Sequence, residues 1–344
     1  AQNIKNPHAG ITKSSKRLKS FVKFALTGTP LENSATELWS IFDFIMPGYL
    51  SKFDKFSSKY KVHEFDDKTN ELLDNLRKQI SPFILRRKKN DVIKELPPKI
   101  ENNIFIDLSD EQKKIYVAEL DKVKSSIDEA MKDGGMSKVR FMILPLLTKL
   151  RQICIDPRIV YTDYDGGSNK IERFLSIVEE LVNNNHKILV FTSFRTALNI
   201  VKVELESTNI KCYTMDGSVS SKERMERVNS FNNSDDVKVF LIMLKSGGTG
   251  LNLASSDIVI HLDLWWNPQA ENQATDRAHR IGQTNTVEVI RLVSKGTIEE
   301  KVLDLQEKKK ELSEKLIDAE SLDQNLIGEL TEKDIKELLA YENK

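Results

Sequence analysis

The chain has 344 residues, 39% hydrophobic and 30% charged, which is long enough for two folded domains and typical of a globular protein. Lysine plus arginine and aspartate plus glutamate number 52 each, which excludes a strong overall attraction to nucleic acid and leaves that role to local patches. No apolar run reaches membrane-spanning length and no signal-peptide profile is present, so we expect an intracellular protein without a membrane partner.

The first 50 residues combine a short apolar segment, a run of small residues and a helical pattern. Residues 22–27 are predicted to form a strand that runs into Gly28-Thr29-Pro30, where small side chains allow a close approach to a phosphate or a facing domain. The spacing of apolar residues over 31–45 then predicts a helix, with one side formed by Leu38, Ile41, Phe42 and Ile45.

Residues 51–163 are predicted to be mostly helical and charged. A basic cluster around Arg86 and Arg87 is followed by Leu96-Pro97-Pro98, whose prolines predict a stiff, extended connector. The predicted helices cover residues 53–60, 70–80, 109–131 and 141–155, and Gly134-Gly135 separates the last two.

From residue 164 onward, strand and helix patterns alternate, which predicts a parallel sheet with right-handed crossovers. The predicted strands are Lys187–Thr192, Lys211–Thr214, Val237–Met243, Asp257–Asp263 and Thr286–Val293. The predicted helices are Lys170–Asn183, Thr196–Ser207, Ser221–Asn232, Pro268–Arg280 and Thr297–Ile317.

Two arginines stand out in the helix that begins at Pro268. If that helix continues to about Ile281 and stops at Gly282, then Gln273, Arg277 and Arg280 share one face. Paired guanidiniums after a strand suit the neutralisation of a phosphoryl group in transfer. The alternative is a solvated helix face with salt bridges to Glu271 and Asp276.

Three loops that follow predicted strands carry groups suited to binding phosphates. Hydroxyls and N–H groups at a helix start bind phosphates without selecting bases, although helix capping explains the first loop equally well. Three glycines in four positions, at 247–250, indicate a close approach of backbone to phosphate. The residues concerned are Thr192, Ser193 and Arg195, then Gly217, Ser218 and Arg224, then Lys245, Ser246, Gly248 and Gly250.

Trp265 and Trp266 follow the next predicted strand. One of them is expected to lie in the core. The other, for which we take Trp265, is expected against a sugar–phosphate backbone.

Several motifs in this order resemble the Swi/Snf family of superfamily 2 ATPases. They are Leu26-Thr-Gly-Thr-Pro-Leu-Glu-Asn33, Leu244-Lys-Ser-Gly-Gly-Thr-Gly-Leu-Asn-Leu253, Trp265-Trp-Asn-Pro268 and Gln273-Ala-Thr-Asp-Arg-Ala-His-Arg-Ile-Gly-Gln283. The resemblance covers about residues 1–320 and implies an α/β, RecA-like (P-loop NTPase-type) lobe. Its parallel sheet has helices on both faces and is preceded by the tail of a first lobe and a helical protrusion.

The resemblance also implies a role for each candidate residue. Arg277 and Arg280 would act on the γ-phosphate of ATP, with Gln273, Asp276, Gly248 and Gly250 at the nucleotide. The residues of the three loops, together with Trp265, would contact double-stranded DNA. Thr27, Gly28 and Thr29 would couple nucleotide to DNA, and Arg86 and Arg87 would lie at the junction of two lobes.

The same resemblance predicts four regions: a first-lobe remnant (1–50), helical protrusions with a connector (51–163), the second lobe (164–296) and a C-terminal brace helix with a tail (297–344). In the family, an Asp-Glu pair directly precedes the Ala-Gln found here at Ala1-Gln2; its Asp binds Mg²⁺ and its Glu orients water. Neither that pair nor a G-x-x-x-x-G-K-[ST] sequence is present, so the Mg²⁺ ligands are expected upstream and the isolated chain is expected to be inactive.

The function predicted from this resemblance is that of an ATP-dependent translocase on double-stranded DNA that remodels a DNA-bound protein. Its expected location is the cytoplasm, at the nucleoid, if the source is a prokaryote, and a nuclear location stays open. Two alternatives remain open: a helicase of the same superfamily that separates strands or acts on RNA, and a non-catalytic module that binds DNA or a partner.

Overall fold

The computed structural model describes residues 1–27, 35–60, 67–85, 95–247, 251–315, 335 and 338–339. Contacts divide the chain into two compact units, one of residues 1–87 with 308–330 and the other of residues 88–307 with 331–344. The predicted active residues 192–280 belong to the second unit.

The first unit is helical in its described part. Its helices are α1 (Gly10–Lys16), α2 (Ala35–Ile45), α3 (Phe53–Lys59) and α4 (Asp67–Ile80), with short 3-10 turns at Gln2–Ile4 and Ser81–Phe83. The apolar side predicted for α2 is confirmed for three of its residues, because Leu38, Ile41 and Phe42 are buried. Leu38 and Phe42 pack in a small core with Phe56, Leu76 and Ile80 from α3 and α4.

The strand predicted over residues 22–27 is not formed. This segment has no regular secondary structure, and the side chains of Phe24 and Leu26 are more than 80% exposed. A strand requires a neighbour to accept its backbone hydrogen bonds, and no described residue pairs with it in a ladder. The prediction was wrong because an apolar sequence alone does not supply that neighbour.

One long helix, α5 (Asp110–Ile155), opens the helical part of the second unit. Ser109 caps its start by accepting a hydrogen bond from the backbone N–H of Gln112, as expected for the residue that begins a helix. Gly135 has a positive φ (φ 61°, ψ −161°), a non-helical conformation that glycine adopts readily, so the helix is kinked there, which confirms the predicted interruption.

Glu119 fastens the two halves of α5 to each other across this kink. Its carboxylate bonds Lys122 Nζ and Lys149 Nζ at 2.7 Å each and accepts a hydrogen bond from the Tyr161 hydroxyl at 2.6 Å. Burial alone would raise the pKa of Glu119, but the hydrogen bonds from these three groups outweigh it and lower the pKa from 4.5 to about 2.

We expect Glu119→Gln to destabilise the protein at pH 7 by about 1 kcal/mol, because charge-assisted hydrogen bonds are lost. A carboxylate with a lowered folded-state pKa stabilises above its unfolded pKa, and that contribution is lost as the pH falls towards the folded value. The difference between variant and wild type in urea unfolding should therefore shrink between pH 4.5 and pH 2. Glu129→Gln, at an exposed position of the same helix, is the control. An equal difference at pH 7 and at pH 3 would contradict the assignment.

Among the described residues, six strands form one all-parallel sheet in the order β1-β6-β5-β2-β4-β3. The strands are β1 (Lys99–Ile106), β2 (Ile188–Thr192), β3 (Cys212–Met215), β4 (Val239–Met243), β5 (Ile258–His261) and β6 (Val287–Ser294). The five strands predicted after residue 164 are confirmed. β2, β4 and β5 were visible because a strand buried on both faces is a nearly continuous apolar run.

Strand β1 was not predicted. It lies in the segment expected to be connector and helix, and it pairs in parallel with β6 from Lys99 opposite Val287 to Ile106 opposite Ser294. Most of its side chains are exposed, and its centre is Glu101-Asn102-Asn103, residues with low strand propensity. Its strand conformation comes from pairing with β6, a partner almost 190 residues away in sequence.

Helices cover both faces of the sheet. One face packs against α6 (Asn169–Asn183) and α7 (Arg195–Ser207) through a core that includes Phe174, Leu198, Val190 and Leu241. The other packs against α8 (Ser221–Asn233) and α10 (Pro268–Thr275) through a core that includes Phe231, Ala274, Phe191 and Phe240. A short helix, α9 (Leu244–Gly247), follows β4, and α11 (Ile298–Lys315) follows β6. This confirms the predicted RecA-like class.

No helix in the described part of the chain combines the length and the apolar character needed to cross a bilayer.

Candidate functional site

The predicted binding residues of the second unit meet at the carboxyl edge of the sheet. Because the strands are parallel, the loops that follow β5, β2, β4 and β3 leave from the same edge, and these four strands are neighbours in that order. Open α/β sheets bind ligands at this edge. The geometry therefore gathers Ser193, Arg195, Gly217, Ser218, Ser246 and Trp265 along one side of the unit.

The loop after β2 is fixed by a carboxylate. Thr192 Oγ1 and the Ser193 backbone N–H both donate to Asp263 Oδ1 at 2.8 Å. Thr192 is only 3% exposed and its hydroxyl donates to Asp263, so the structure places it as a support of this loop, and its contact with DNA stays a prediction. Arg195, by contrast, is exposed and starts α7.

The loop after β3 joins the loop after β2 through Arg195. Arg195 Nε bonds Asp216 Oδ2 at 2.9 Å, and Asp216 Oδ1 accepts from the backbone N–H of Ser218 at 2.9 Å. The hydrogen bonds from Ser218, more than the charge of Arg195, lower the pKa of Asp216. Gly217 and Ser218 are exposed, and Arg224 is half-buried one turn into α8. A Cβ placed on Gly217 would lie 4.0 Å from Ser246 Oγ, so the loops after β3 and β4 are close.

The glycine loop is only partly described. Ser246 is half-buried in α9, whereas Gly248, Gly250 and the side chain of Lys245 lie outside the described residues. Leu251 and Leu253, directly after the loop, are buried in the core between the sheet and α8. The end of the glycine loop is therefore anchored in the interior of the unit.

The tryptophan pair surrounds a buried arginine. Trp266 is only 8% exposed, which confirms that one of the pair lies in the core, while Trp265 is partly exposed. The guanidinium carbon of Arg151, from α5, lies 5.5 and 5.6 Å from the centres of these two rings. Arg151 Nη2 also bonds Asp263 Oδ2 at 2.9 Å.

The arginine segment departs from the predicted helix. α10 ends at Thr275, and the chain continues in turns in which the N–H of Ala278 donates to the carbonyl of Thr275 and that of Gln283 to the carbonyl of Arg280. Arg277 and Arg280 therefore do not share a helix face with Gln273, and that part of the prediction was wrong. The helix ends because Ala278 is drawn into the core and the Arg277 carbonyl accepts from the Leu253 N–H at 3.1 Å.

The two arginines differ in their surroundings. Arg280 is exposed and its Nη1 donates to the carbonyl of Leu251 at 3.2 Å, while Arg277 is half-buried. Burial first, and then the positive charge of Arg280, lower the pKa of Arg277, with Asp276 acting in the opposite sense. Two guanidiniums close enough to repel each other form a setting that an anion stabilises, so these residues suit the phosphates of ATP.

The neighbours of the arginines hold the turns in place. His279 is buried and its Nε2 donates to the carbonyl of Pro97 at 2.8 Å. Gln283 Nε2 donates to the carbonyl of Ser256 at 2.7 Å, and its Oε1 accepts from the N–H groups of Thr284 and Asn285 at 2.9 Å. The Ile-Gly-Gln ending is thus structural: Gln283 closes the turn that Gly282 (φ +100°) begins.

The predicted coupling residues belong to the first unit. Thr27 is half-buried, and Gly28, Thr29, Arg86 and Arg87 lie outside the described residues. No set of three or more histidine, cysteine or carboxylate side chains in the described part of the chain is arranged to bind a metal ion.

Comparisons with known proteins agree with the fold. The SNF2-related domain model matches residues 1–159 and the helicase conserved C-terminal domain model matches residues 169–282. The chain is 41% identical over 319 residues to an uncharacterized ATP-dependent helicase of Mycoplasma genitalium, covering 92% of this chain and 30% of the relative. It is 39% identical over 348 residues to a putative ATP-dependent helicase/translocase of Bacillus subtilis, covering 99% and 37%. It is 32% identical over 384 residues to the TATA-binding protein-associated factor mot1 of Schizosaccharomyces pombe, covering 94% and 20%.

Solved structures show the same relationship. The Sulfolobus solfataricus SWI2/SNF2 ATPase core in complex with dsDNA is 37% identical with a TM-score of 0.60, covering 99% of this chain and 71% of that one. The C-terminal domain of the SWI2/SNF2 ATPase from the same organism is 31% identical with a TM-score of 0.57, covering 71% and 99%.

The all-parallel sheet, with helices on both faces and polar loops at its carboxyl edge, is that of a RecA-like helicase lobe. The chain belongs to the Swi/Snf family of superfamily 2 ATPases. It spans about a third of the length of the first two relatives named above.

Proposed function

We propose that the chain provides the second lobe and adjoining segments of an ATP-dependent translocase that moves along double-stranded DNA and remodels protein–DNA complexes. One observation carries the proposal. The arginine segment is hydrogen-bonded to residues 251–253, which directly follow the glycine loop, through Arg277 O to Leu253 N and Arg280 Nη1 to Leu251 O. The candidate nucleotide contact and one of the candidate DNA loops are thereby joined.

On the nucleotide side, Arg277 and Arg280 bind the γ-phosphate of ATP and neutralise the charge that develops during transfer. Gln273, Asp276 and the glycines at 248 and 250 lie at or near the nucleotide. Mg²⁺ supplies further charge neutralisation when bound, and its ligands are expected outside the described residues. Burial first, and then the positive charge of Arg280, lower the pKa of Arg277, and an anion bound beside the two guanidiniums would offset that repulsion.

On the DNA side, Ser193, Arg195, Gly217, Ser218, Arg224, Lys245, Ser246 and Trp265 contact the sugar–phosphate backbone. Phosphate contacts of this kind carry no sequence information, which suits a protein that moves stepwise along a duplex. The dsDNA bound by the Sulfolobus solfataricus relative supports double-stranded DNA as the partner. The mot1 relative, named as a TATA-binding protein-associated factor, supports a DNA-bound protein as the remodelled target.

The distribution of motifs supports a longer working enzyme. The 344 residues contain no glycine followed by lysine, and hence no Walker A sequence for the β- and γ-phosphates. The named bacterial relatives are about three times as long as the matched part. We therefore assign the ATPase cycle to the full-length protein, in which binding of ATP closes two lobes and hydrolysis opens them.

Phosphate release and strand displacement by the full-length protein test the proposal. We expect ATP hydrolysis to be stimulated by duplex DNA, and a third strand bound to that duplex to be displaced without separation of the duplex itself. Stimulation by RNA, or separation of the duplex strands, would favour a strand-separating or RNA helicase instead. DNA binding without any hydrolysis would favour a non-catalytic module.

We expect Arg195→Ala and Lys245→Ala to weaken binding to every duplex sequence tested. Each lost phosphate contact should lower the slope of log affinity against log salt concentration by about one unit. Fluorescence anisotropy at several salt concentrations measures both quantities.

Lys211→Ala is a matched control for these two variants, because Lys211 is exposed next to the amino end of β3, the opposite edge of the sheet. Its affinity and its salt slope should equal those of the wild type. A loss of affinity confined to particular base sequences would show that the loops recognise bases, contrary to the proposal.

A further inference from the structure

We infer that the buried pair Arg151–Asp263 positions the DNA-contacting elements after β2 and β5. The inference rests on the proposed function, because it assigns a role to residues that support Ser193, Arg195 and Trp265. Neither Arg151 nor Asp263 is itself placed on the DNA.

Both oxygens of Asp263 are engaged. Oδ1 accepts from Thr192 Oγ1 and from the backbone N–H of Ser193, both at 2.8 Å, and Oδ2 accepts from Arg151 Nη2 at 2.9 Å. One carboxylate, two residues beyond the end of β5, therefore fixes the last residue of β2 and the first residue after it. α7 begins at Arg195, two residues after Ser193, so the position of Ser193 restricts where that helix starts.

Arg151, the other member of the buried pair, contacts both segments as well. Its Nη2 also donates to the carbonyl of Leu264, and its guanidinium carbon lies 5.3 Å from the centre of the Phe194 ring, in the loop after β2. The same group lies over Trp265 and Trp266, in the segment after β5. A single cation thus connects an aromatic residue of one candidate DNA loop with the tryptophan pair of the other.

The burial of this pair favours positioning over stability. The side chains of Arg151 and Asp263 are 2% and 0% exposed. Removing two charges from water costs several kcal/mol per ion, and apolar residues of similar volume are often equally stabilising or more so. The hydrogen bonds of such a pair are directional, so the guanidinium and the carboxylate fix the orientation of the groups that they bond.

The loop after β3 is connected to this segment through Arg195. Arg195 lies two residues after Ser193, and its Nε bonds Asp216, whose other oxygen fixes Ser218. Polar contacts therefore fix both ends of the short segment from Ser193 to Arg195: Asp263 holds Ser193, and Asp216 of the loop after β3 holds Arg195. Weakening the bonds of the buried Asp263 should therefore disturb the proposed phosphate contacts of the exposed Arg195 and Ser218.

The test uses Asp263→Asn and Thr192→Val in the full-length enzyme. Asp263→Asn removes the charge that accepts from both the loop and Arg151. Thr192→Val removes one hydroxyl and creates no unpaired charge, so it retains the fold even if Asp263→Asn does not. We expect the DNA concentration for half-maximal ATPase stimulation to rise about tenfold in the first variant and about threefold in the second, because hydrogen bonds to a charged group are lost.

A purely structural role would give a different pattern. A destabilised enzyme has fewer active molecules, so its maximal rate falls while its half-saturating DNA concentration stays constant. We expect the reverse here: a maximal rate within about twofold of wild type, and a salt slope lower by about one unit. Glu299→Gln is the matched control, because Glu299 belongs to another buried pair, with Lys170, and itself bonds Lys170 and the backbone of Ser294. Its partner Lys170 reaches the carbonyl of Leu262, next to Asp263, only at 3.4 Å, so the control carries the burial of a charged pair without the bonds to Thr192 and Ser193. It should lower thermal stability without changing the half-saturating DNA concentration.

The outcomes separate the inference from the proposed function. If Arg195→Ala weakens DNA binding but Thr192→Val leaves the half-saturating concentration unchanged, the positioning role is wrong and the proposed function stands. If neither Arg195→Ala nor Lys245→Ala weakens binding, the proposed DNA surface itself is wrong. An equal rise in Glu299→Gln and Asp263→Asn would also overturn the inference.

Discussion

Arg277→Ala and Arg280→Ala, each placed in the full-length enzyme, are expected to reduce ATP turnover on the order of 10³-fold or more while DNA affinity stays close to wild type. The charge on a transferring γ-phosphoryl group is neutralised by guanidiniums that are already in place, so the loss of either raises the barrier directly. The DNA loops keep their own anchors at Asp263 and Asp216, which neither substitution touches. Single-turnover hydrolysis and anisotropy titrations on the same preparations measure both effects.

Replacement by lysine tests whether positive charge alone is sufficient at these two positions. Arg277→Lys and Arg280→Lys keep the positive charge but lose the planar fork that binds two phosphate oxygens, so we expect little recovery of turnover. Arg173→Ala, at an exposed position of α6, is the control for loss of a surface arginine and should behave as wild type. Unchanged hydrolysis in both alanine variants would show that the arginine segment does not reach the phosphate.

The 344-residue polypeptide by itself is expected to show no DNA-stimulated ATP hydrolysis. Phosphoryl transfer requires a cradle for the β- and γ-phosphates, a carboxylate for Mg²⁺ and a group that orients water. The family supplies these in sequence motifs that the 344 residues do not contain. The second unit retains its sheet and both of its cores, so we expect it to fold and to bind duplex DNA weakly, with a steep loss of affinity on added salt.

Phosphate release by the purified polypeptide, measured beside the full-length enzyme at the same DNA concentration, checks this expectation. The Arg277→Ala variant of the polypeptide is the control for contaminating ATPases. Hydrolysis by the polypeptide at a rate comparable to that of the full-length enzyme, and lost in the variant, would show that the phosphate cradle is present in these residues in a form the motifs do not reveal.

The sequence predicted most of the sheet of the second unit because most of its strands show a clear apolar pattern. β2, β4 and β5 are buried, largely apolar runs between helical patterns, while β3 and β6 mix buried and partly buried residues. All five were located to within two residues at either end. β1 was missed because an exposed edge strand carries no apolar run and depends on its partner. The segment at 22–27 failed for the opposite reason, since it has the apolar run and no partner among the described residues.

The sequence indicated which loops carry the candidate site residues, but it did not indicate the tertiary contacts that hold those residues in place. Motif wording located the arginine segment and the loops after β2, β3 and β4, but local periodicity extended α10 to Arg280 when tertiary contacts of Ala278 and Leu253 end it at Thr275. Arg151 carries one usable signal: it is an arginine on the apolar face of a helix, four residues after the buried Leu147. Its partner is 112 residues further along the chain, and no local pattern indicates which residue that is.

The pairing of β1 with β6 has a mechanical consequence. The connector enters the sheet at Pro98, whose carbonyl accepts from the Val287 N–H, and continues at once as β1. A pull on the connector along the strand axis is opposed by the whole ladder from Lys99 to Ile106 in shear, so its hydrogen bonds share the load instead of breaking one after another. His279 connects the arginine segment to Pro97, two residues before the ladder begins. Tension on the connector would therefore be felt next to the two arginines, through the hydrogen bond from His279.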